Sequence, residues 1–414
     1  NSATTKLTRT ITPSRLAEVS LNYDGNIINI TNSPNSLLPS GLHINTFFNN
    51  GSKNTPNLHF GSPYNTQENP GSAPWHNAAQ DYSPKIDVSY LSGKHSMKFG
   101  FSYNRYTKNQ QLFGNPGGDI SLGTLTGGSY TDPVTQVTTK YSGDSMVDLM
   151  LGLVSKYQQA QALPIRHYVN QTTSVYAMDN WHVTPRLTLQ LGIRYDALPH
   201  AWERQNFVSN FDPSQYLSSQ APKYVLDSHG NPTSQLDPTG PGFATVNGQR
   251  FYLNGIYLAG QNGQPKGLVT NGYDTIQPRV SFSEELCGNG KTVLRGGFGT
   301  FFERMQGNDI YNAATAPPFA FSPTANNVYM TTPTKSWVSG QTASTPYFAA
   351  GIMNLAKDYR APAVAQFSLG LQHELRPSMI WVIQYVGNIA WHQNVERHIN
   401  NFPLDTSLTT RCNA

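Results

Sequence analysis

Residues 172–196 read TTSVYAMDNWHVTPRLTLQLGIRYD. In the second half, Leu187, Leu189, Leu191, Ile193 and Tyr195 take every other position, and Thr188, Gln190, Gly192, Arg194 and Asp196 fill the gaps. Strict alternation places all the apolar groups on one face of an extended strand. The stretch therefore predicts two strands joined by a tight turn at Thr184-Pro185. What covers the apolar face decides the fold.

Composition narrows the choice. The chain has 414 residues, only 13% of them charged, with a formal net charge of +4 and 37% hydrophobic residues. Soluble domains usually carry about 25% charged residues. Low charge, with 35 Gly, 22 Tyr and 19 Phe, suits a β-rich protein with long polar loops, either a soluble sandwich or an outer-membrane barrel. So small a positive charge gives no argument for a nucleic-acid partner. No apolar run approaches the 18 or so residues of a membrane helix; the longest, MVDLMLGLV at 146–154, is short and holds Asp148. Any membrane crossing must be made by strands. Cys287 and Cys412 lie far apart without a CxxC, which predicts neither a disulfide framework nor a zinc cluster.

Working outward, the same alternation recurs. Residues 6–11 and 15–23 form a predicted hairpin across Thr12-Pro13-Ser14, and residues 85–91 and 95–106 a second across Ser92-Gly93-Lys94. Residues 146–151 and 156–162 are read as a third across 152–155, with a short buried helix as the alternative for the first arm. Residues 276–285 and 291–303 flank 287–290, and 364–375 pairs through Arg376-Pro377 with 378–388. Between the hairpins lie stretches rich in Asn, Pro, Gly, Ser and Thr, at roughly 24–83, 107–143, 197–275 and 304–363, which are read as loops.

Tight turns thus alternate with very long loops. In an up-and-down sheet alternate connections lie at opposite ends, so all the short turns share one rim. Short periplasmic turns, long extracellular loops and strands of about ten residues with a two-residue period describe an outer-membrane barrel. A sandwich with four such loops would be unusual. The expected fold is all-β: one curved, antiparallel, up-and-down transmembrane sheet with about twelve strands.

That fold assigns the side chains. Gln190, Arg194, Asp196, Arg295 and Glu303 are expected to face the lumen, where the charged ones either pair across the interior or steer a charged solute. Trp181, Tyr195, Phe302, Trp381 and Tyr385 are candidate membrane-interface aromatics. Substrate-binding residues are not assigned, and the ligand chemistry is expected in the long loops.

Other motifs resolve to ordinary readings. Gly288-Asn289-Gly290-Lys291-Thr292 ends like a phosphate-binding loop, but Glu285 stands where the motif needs its first Gly; a hairpin turn is expected. His392, Glu396 and His398 lack the spacing of a metal helix. No GxSxG elbow occurs and no carboxylate pair can be placed at a useful separation, so no enzyme activity is expected; no metal or cofactor is expected either.

Residues 175–196, VYAMDNWHVTPRLTLQLGIRYD, resemble the barrel signature of TonB-dependent outer-membrane receptors, in particular the Oar-like group that often carries a carboxypeptidase-regulatory-like domain. GKHSMKFGFSY at 93–103, DSMVDLMLGL at 144–153, PRVSF and GKTVLRGGFGTFF within 277–302, and ELRPSMIWVIQYVG at 374–387 follow in the family's order. Met178 stands where the family commonly has Gln before the Asp of the D-x-W block. The resemblance implies a barrel of about 22 strands, of which this chain is about half, with outer-membrane lipid and the TonB complex as partners. It also implies active uptake of a substrate that it does not identify. No plug domain, TonB-contacting box or terminal barrel strand is recognisable, and both termini look cut. Residues 1–414 are therefore expected to be part of a single barrel domain. A passive porin, a surface adhesin and a secreted glycan-binding β-protein are the alternatives.

Overall fold

In the computed structural model, the residues described are 1–38, 40, 46–49, 52–61, 63–64, 74–111, 114–122, 129–131, 136, 138–161, 164–237, 239–305, 307–313, 316–320, 322–336, 352 and 354–399. Its main element is an eleven-stranded sheet. Ten strands run across it in sequence order: β1 (Ser2–Thr12), β2 (Arg15–Ile30), β3 (Trp75–Ser92), β4 (His95–Gln111), β5 (Ile165–His182), β6 (Leu187–Ala197), β7 (Ile276–Glu285), β8 (Thr292–Phe302), β9 (Ala363–Arg376) and β10 (Met379–Trp391). The eleventh, Trp202–Glu203, pairs beside β5. Every neighbour along the path is antiparallel. The wall is thus an up-and-down meander, with β1 and β10 each paired on one side only.

The short turns form for local reasons. Gly93 takes a φ of 55° in the two-residue link between Ser92 and His95, a conformation only Gly adopts freely. At the turn in the opening stretch, the Thr184 hydroxyl oxygen accepts the backbone N–H groups of Arg186 (3.2 Å) and Leu187 (2.9 Å). Between β7 and β8, Glu285 accepts the Gly290 N–H at 2.7 Å, and Gly288 and Gly290 both have positive φ. The phosphate-loop-like string is therefore a hairpin turn followed by a strand, as its sequence context indicated.

Register fixes the faces. Val19, Ile86, Phe101, Val175, Tyr195 and Ile276 stand opposite one another across six strands, and all but Tyr195 are exposed large apolar side chains. The adjoining row on the other face is Glu18, Asp87, Gly100, Tyr176, Arg194 and Gln277. Leu191 and Ile193 lie on the apolar face and Gln190 and Arg194 on the polar one, because successive strand residues alternate.

Several expectations are corrected. Ten wall strands are found, not about twelve, because the third predicted hairpin does not exist. Ser145–Met150 is a helix, capped by Asp144, whose carboxylate accepts the N–H groups of Met146 (2.8 Å) and Val147 (3.1 Å). It is not a buried helix either: Met150 is 82% exposed. Leu153–Gln158 belongs to a separate five-stranded sheet with Asn57–His59, Asp119–Ser121, Thr324–Tyr329 and Thr332–Ser336. Residue 162, the end of that predicted arm, lies outside the described residues, as does Cys412. The second correction is length. β2 to β5 have 16, 18, 17 and 18 residues, well beyond the 9–11 or so that cross a bilayer. Part of what reads as loop at 24–83 and 107–143 is therefore wall standing above the membrane.

The third difference concerns the long loops, whose described parts are folded. Both buried apolar clusters lie mainly in them. One joins Tyr168 of β5 to Val208, Tyr257, Leu268, Ile310 and Tyr359. The other joins Ile120, Leu122, Val154, Tyr157 and Val328. The wall's apolar face is exposed, so the buried apolar clusters among the described residues form where the loops cover each other.

Candidate functional site

The polar face carries a continuous network. Asp87 receives Lys85 at 2.9 Å, Lys98 at 3.3 Å and the Tyr176 hydroxyl. Lys6 pairs with Glu18 at 2.5 Å on the same face. One strand further on, Arg194 pairs with Asp196 at 2.8 Å and donates to the Ser174 hydroxyl at 2.9 Å, while Gln277 donates to Asp196 at 2.5 Å. The Ser281 hydroxyl reaches Gln190 at 3.2 Å. Arg194 thus meets an acid two residues along its own strand, and Glu303 stands apart, exposed just beyond β8.

Gly100 lets Tyr176 reach Asp87. A Cβ at Gly100 would lie 2.2 Å from the Tyr176 ring, which crosses directly over it. Gly100→Ala is expected to push the ring away, break the Tyr176–Asp87 bond and cost roughly 1–3 kcal/mol. Denaturant unfolding of the full-length protein in vesicles, against Gly192→Ala with its open 3.6 Å surroundings, reads this directly.

From β6 to β10 the polar face changes character. Gly297, Gly299, Ser281, Ser283, Ser368 and Gly370 leave two open hollows of about 500 and 330 Å³. Gln190 lines both and Arg295 the larger.

At the loop end, the segment after β8 folds back onto this face. Arg304 donates to Asn104 (3.4 Å) and Asn170 (3.3 Å) and lies 5.4 Å from the Tyr106 ring centre. Tyr311, on the helix Gly307–Ala313, packs 4.5 Å from Tyr168, with the Lys108 ammonium 4.2 Å from its ring. Arg166 donates to the Phe319 carbonyl at 2.7 Å. Composition marks 304–363 only as loop; nothing in its local pattern predicts contact with β4 and β5, since these partners are far away in sequence.

The apolar face holds all five predicted aromatics. Trp181 and Trp381 sit near the short turns, Tyr195 and Phe302 near the loop ends, and Tyr385 in mid-strand between Ile383 and Ile389. Trp391, missed by the sequence reading, packs edge-on to Phe302 at 6.2 Å. The spacing of the D-x-W block also acquires a reason. Asp179 and Trp181 share the apolar face; His95 stacks on Trp181 at 5.3 Å and meets Asp179 at 2.6 Å. The carboxylate orients the imidazole that extends the Trp surface.

His200 couples the loops to pH. Its Nδ1–H lies 3.0 Å from the carbonyls of Ala201 and Gly267, and its ring meets Tyr359 edge-on. Burial pushes its pKa down to about 4 from an ordinary 6.5. The folded form therefore keeps His200 neutral while the opened form takes up a proton below pH 6.5. Loop stability is complete above that pH and falls as pH drops towards 4, by about 2 kcal/mol at pH 5. Amide exchange at Thr270 and Gly272, which donate to Lys357 and Tyr359 carbonyls, is expected to accelerate at pH 5 after correction for intrinsic rates. A His200→Asn variant should lose the dependence.

His392, Glu396 and His398 fall in an exposed segment beyond β10. Among the described residues no group of His, Cys, Asp or Glu is placed to hold a metal, and no helix is long and apolar enough to cross a membrane. Cys287 is exposed in the β7–β8 turn.

An antiparallel meander with a continuous exposed apolar face, a charged opposite face, tight turns at one rim and folded loops at the other is the wall of a transmembrane β-barrel. Residues 1–414 match the family model described as outer membrane beta barrel domain, and the chain belongs to that family. It is a protein of the bacterial outer membrane. No curated protein matches it. Similar solved structures include the copper transporter OprC, at 11% identity, covering 94% of this chain and 38% of that one, with a TM-score of 0.38. The outer membrane transporter YddB from Escherichia coli is 10% identical, with coverage of 93% and 39% and a TM-score of 0.37. The ferric-catecholate import receptor Fiu from K12 E. coli is also 10% identical, with coverage of 93% and 40% and a TM-score of 0.35. The chain spans about two-fifths of the length of these three proteins.

Proposed function

We propose that this chain is wall and vestibule of a TonB-dependent outer-membrane receptor of the Oar-like kind, which takes a solute into the periplasm with energy delivered through the TonB complex. In this reading the polar face, with Gln190, Arg194, Asp196, Arg295 and Glu303, lines the lumen. Trp181, Tyr195, Phe302, Trp381 and Tyr385 face lipid, with the Trp residues at the periplasmic interface. Residues 1–414 are then part of one barrel domain, whose plug and remaining strands are supplied by other sequence of the protein. The role is transport without catalysis.

The observation that carries the reading is the segment after β8. Arg304 and Tyr311 lie against the polar face at its loop end, so in a closed barrel this segment would narrow the mouth. In this reading the small-residue half of the polar face packs against the plug.

Two measurements on the full-length protein test this. In planar bilayers it is expected to be electrically silent, because a plugged receptor conducts no steady current; persistent open-channel steps would favour a passive porin. In cells it should cross-link to TonB through a segment at the periplasmic side. Absence of both cross-link and energy-dependent uptake would sink the proposal.

A further inference from the structure

At the loop end of the wall, three buried side chains leave polar atoms without partners. Arg166 is 5% exposed, Tyr168 1% and Gln110 4%. Among the described residues, Arg166 Nε, the Tyr168 hydroxyl and Gln110 Oε1 have no hydrogen-bond partner. Register brings them together on the polar face: Gln110 stands opposite Arg166, and Lys108 opposite Tyr168. Directly opposed strand residues have Cβ atoms about 4.5–5.5 Å apart, so the four side chains form one cluster.

The segment after β8 covers this cluster without satisfying it. Tyr311 presents a ring to Lys108 and Tyr168, and Phe319 gives one carbonyl to Arg166. Phe207 lies 5.4 Å from the same guanidinium. Arg304 meets the neutral Asn104 and Asn170 amides and the Tyr106 ring. Among the described residues no carboxylate makes a salt bridge with Lys108, Arg166 or Arg304. Glu203 stands directly opposite Tyr168 and within Coulombic reach of Arg166, but the oxygens of both local acids already accept other hydrogen bonds. Glu203 accepts the backbone N–H groups of His167, Gln205 and Phe207, and Asp81 accepts Asn104 and Ser83.

Three cations at this end of the wall outnumber the two acids beside them, Glu203 and Asp81, and are held mainly against rings and amides. Buried polar atoms are almost always paired, and each unpaired one forfeits a bond it would make in water. The covered state is therefore held at a polar cost that an incoming group with matching chemistry would remove. A guanidinium offers a planar fork of donors that fits a carboxylate or phosphate, and such charge-assisted bonds are the strong ones.

We propose that Arg166, Lys108 and Arg304, with the Tyr168 hydroxyl, form an oxyanion subsite, and that the segment carrying Arg304, Tyr311 and Phe319 is the strap that lifts to admit it. The solute class is one bearing a carboxylate or a phosphate. Gln110 completes the site with its amide, whose oxygen and nitrogen exchange places by a simple flip. The assignment rests on the uptake reading for its biological meaning, but binding at the subsite does not require energy coupling.

The test uses full-length protein in detergent, with inorganic phosphate and succinate as separate probes and glucose as the neutral control. Titration calorimetry is expected to show saturable binding of at least one anion and none of glucose. Arg166→Gln should weaken that binding about tenfold or more, and the half-exposed Lys108→Gln should weaken it several-fold, whereas Lys291→Gln at the short-turn rim should not. Amide exchange in 303–313 should rise when the anion binds, because the strap must move. Preferential binding of phosphate over succinate, or the reverse, separates the two sources of the chemistry. No binding of either anion, or binding insensitive to both variants, overturns the subsite. If the anions fail to bind while TonB-dependent uptake of a neutral solute is found, the subsite falls and the transport reading stands.

Discussion

Asp87→Leu is expected to destabilise the barrel wall by about 3 kcal/mol, the low end of the range for breaking a buried ion pair from one side. Asp87 is 9% exposed at its side chain and holds Lys85, Lys98 and the Tyr176 hydroxyl. Removing it leaves two ammonium groups facing each other and strands the tyrosine. Both lysines are about a third exposed, so water screens part of the loss and the upper end of the range is not reached. Urea unfolding of the full-length protein in phospholipid vesicles measures the difference. Adding Lys85→Met and Lys98→Met to Asp87→Leu should recover most of it, since a pair replaced on both sides costs little. A loss below about 1 kcal/mol, or no recovery in the triple variant, would show that the lysines are fully hydrated and the network is incidental.

The second large effect separates the two faces. Val280 stands opposite Leu191 and Phe298 in the middle of the apolar face, and Ser281, its neighbour, points the other way. Val280→Arg places a guanidinium against hydrocarbon and is expected to cost about 2–4 kcal/mol near the bilayer midplane. Ser281→Arg faces the open hollow beside Gln190 and is expected to change stability by less than about 1 kcal/mol, as surface substitutions do. The same vesicle unfolding experiment, with band-shift on unboiled gels as a second readout, compares them. Equal effects at both positions would mean that both faces are dry, and the wall would then be one layer of a sandwich.

Most of the wall could be read from the sequence because it depends on a two-residue period and local turn chemistry. Leu187 to Tyr195 alternate, Gly93 permits its turn and Thr184 closes another. Each of these signals involves neighbours in the chain. The third hairpin failed for the opposite reason. Residues 146–151 contain consecutive apolar residues without alternation, and the Asp144 cap made a helix of them. The overlong strands also escaped, because Gly25, Asn26 and Asn29 look like loop residues but extend β2 by pairing with β3.

The candidate site was less legible. The lumen set was chosen from parity alone, and parity says nothing about partners. That Arg194 meets Asp196 and Ser174, or that Arg166 and Gln110 lie side by side, depends on strand register. That Tyr311 covers Lys108 depends on how a distant loop folds back. In the stretch at 172–196, the chain by itself determined two strands, their turn and which side chains share a face, since backbone geometry enforces alternation whatever the surroundings. Only the tertiary structure decided that the loops share buried cores and that one of them lies against the polar face. Those arrangements come from non-local burial, in which residues hundreds of positions apart exclude water from each other, and no local pattern encodes them.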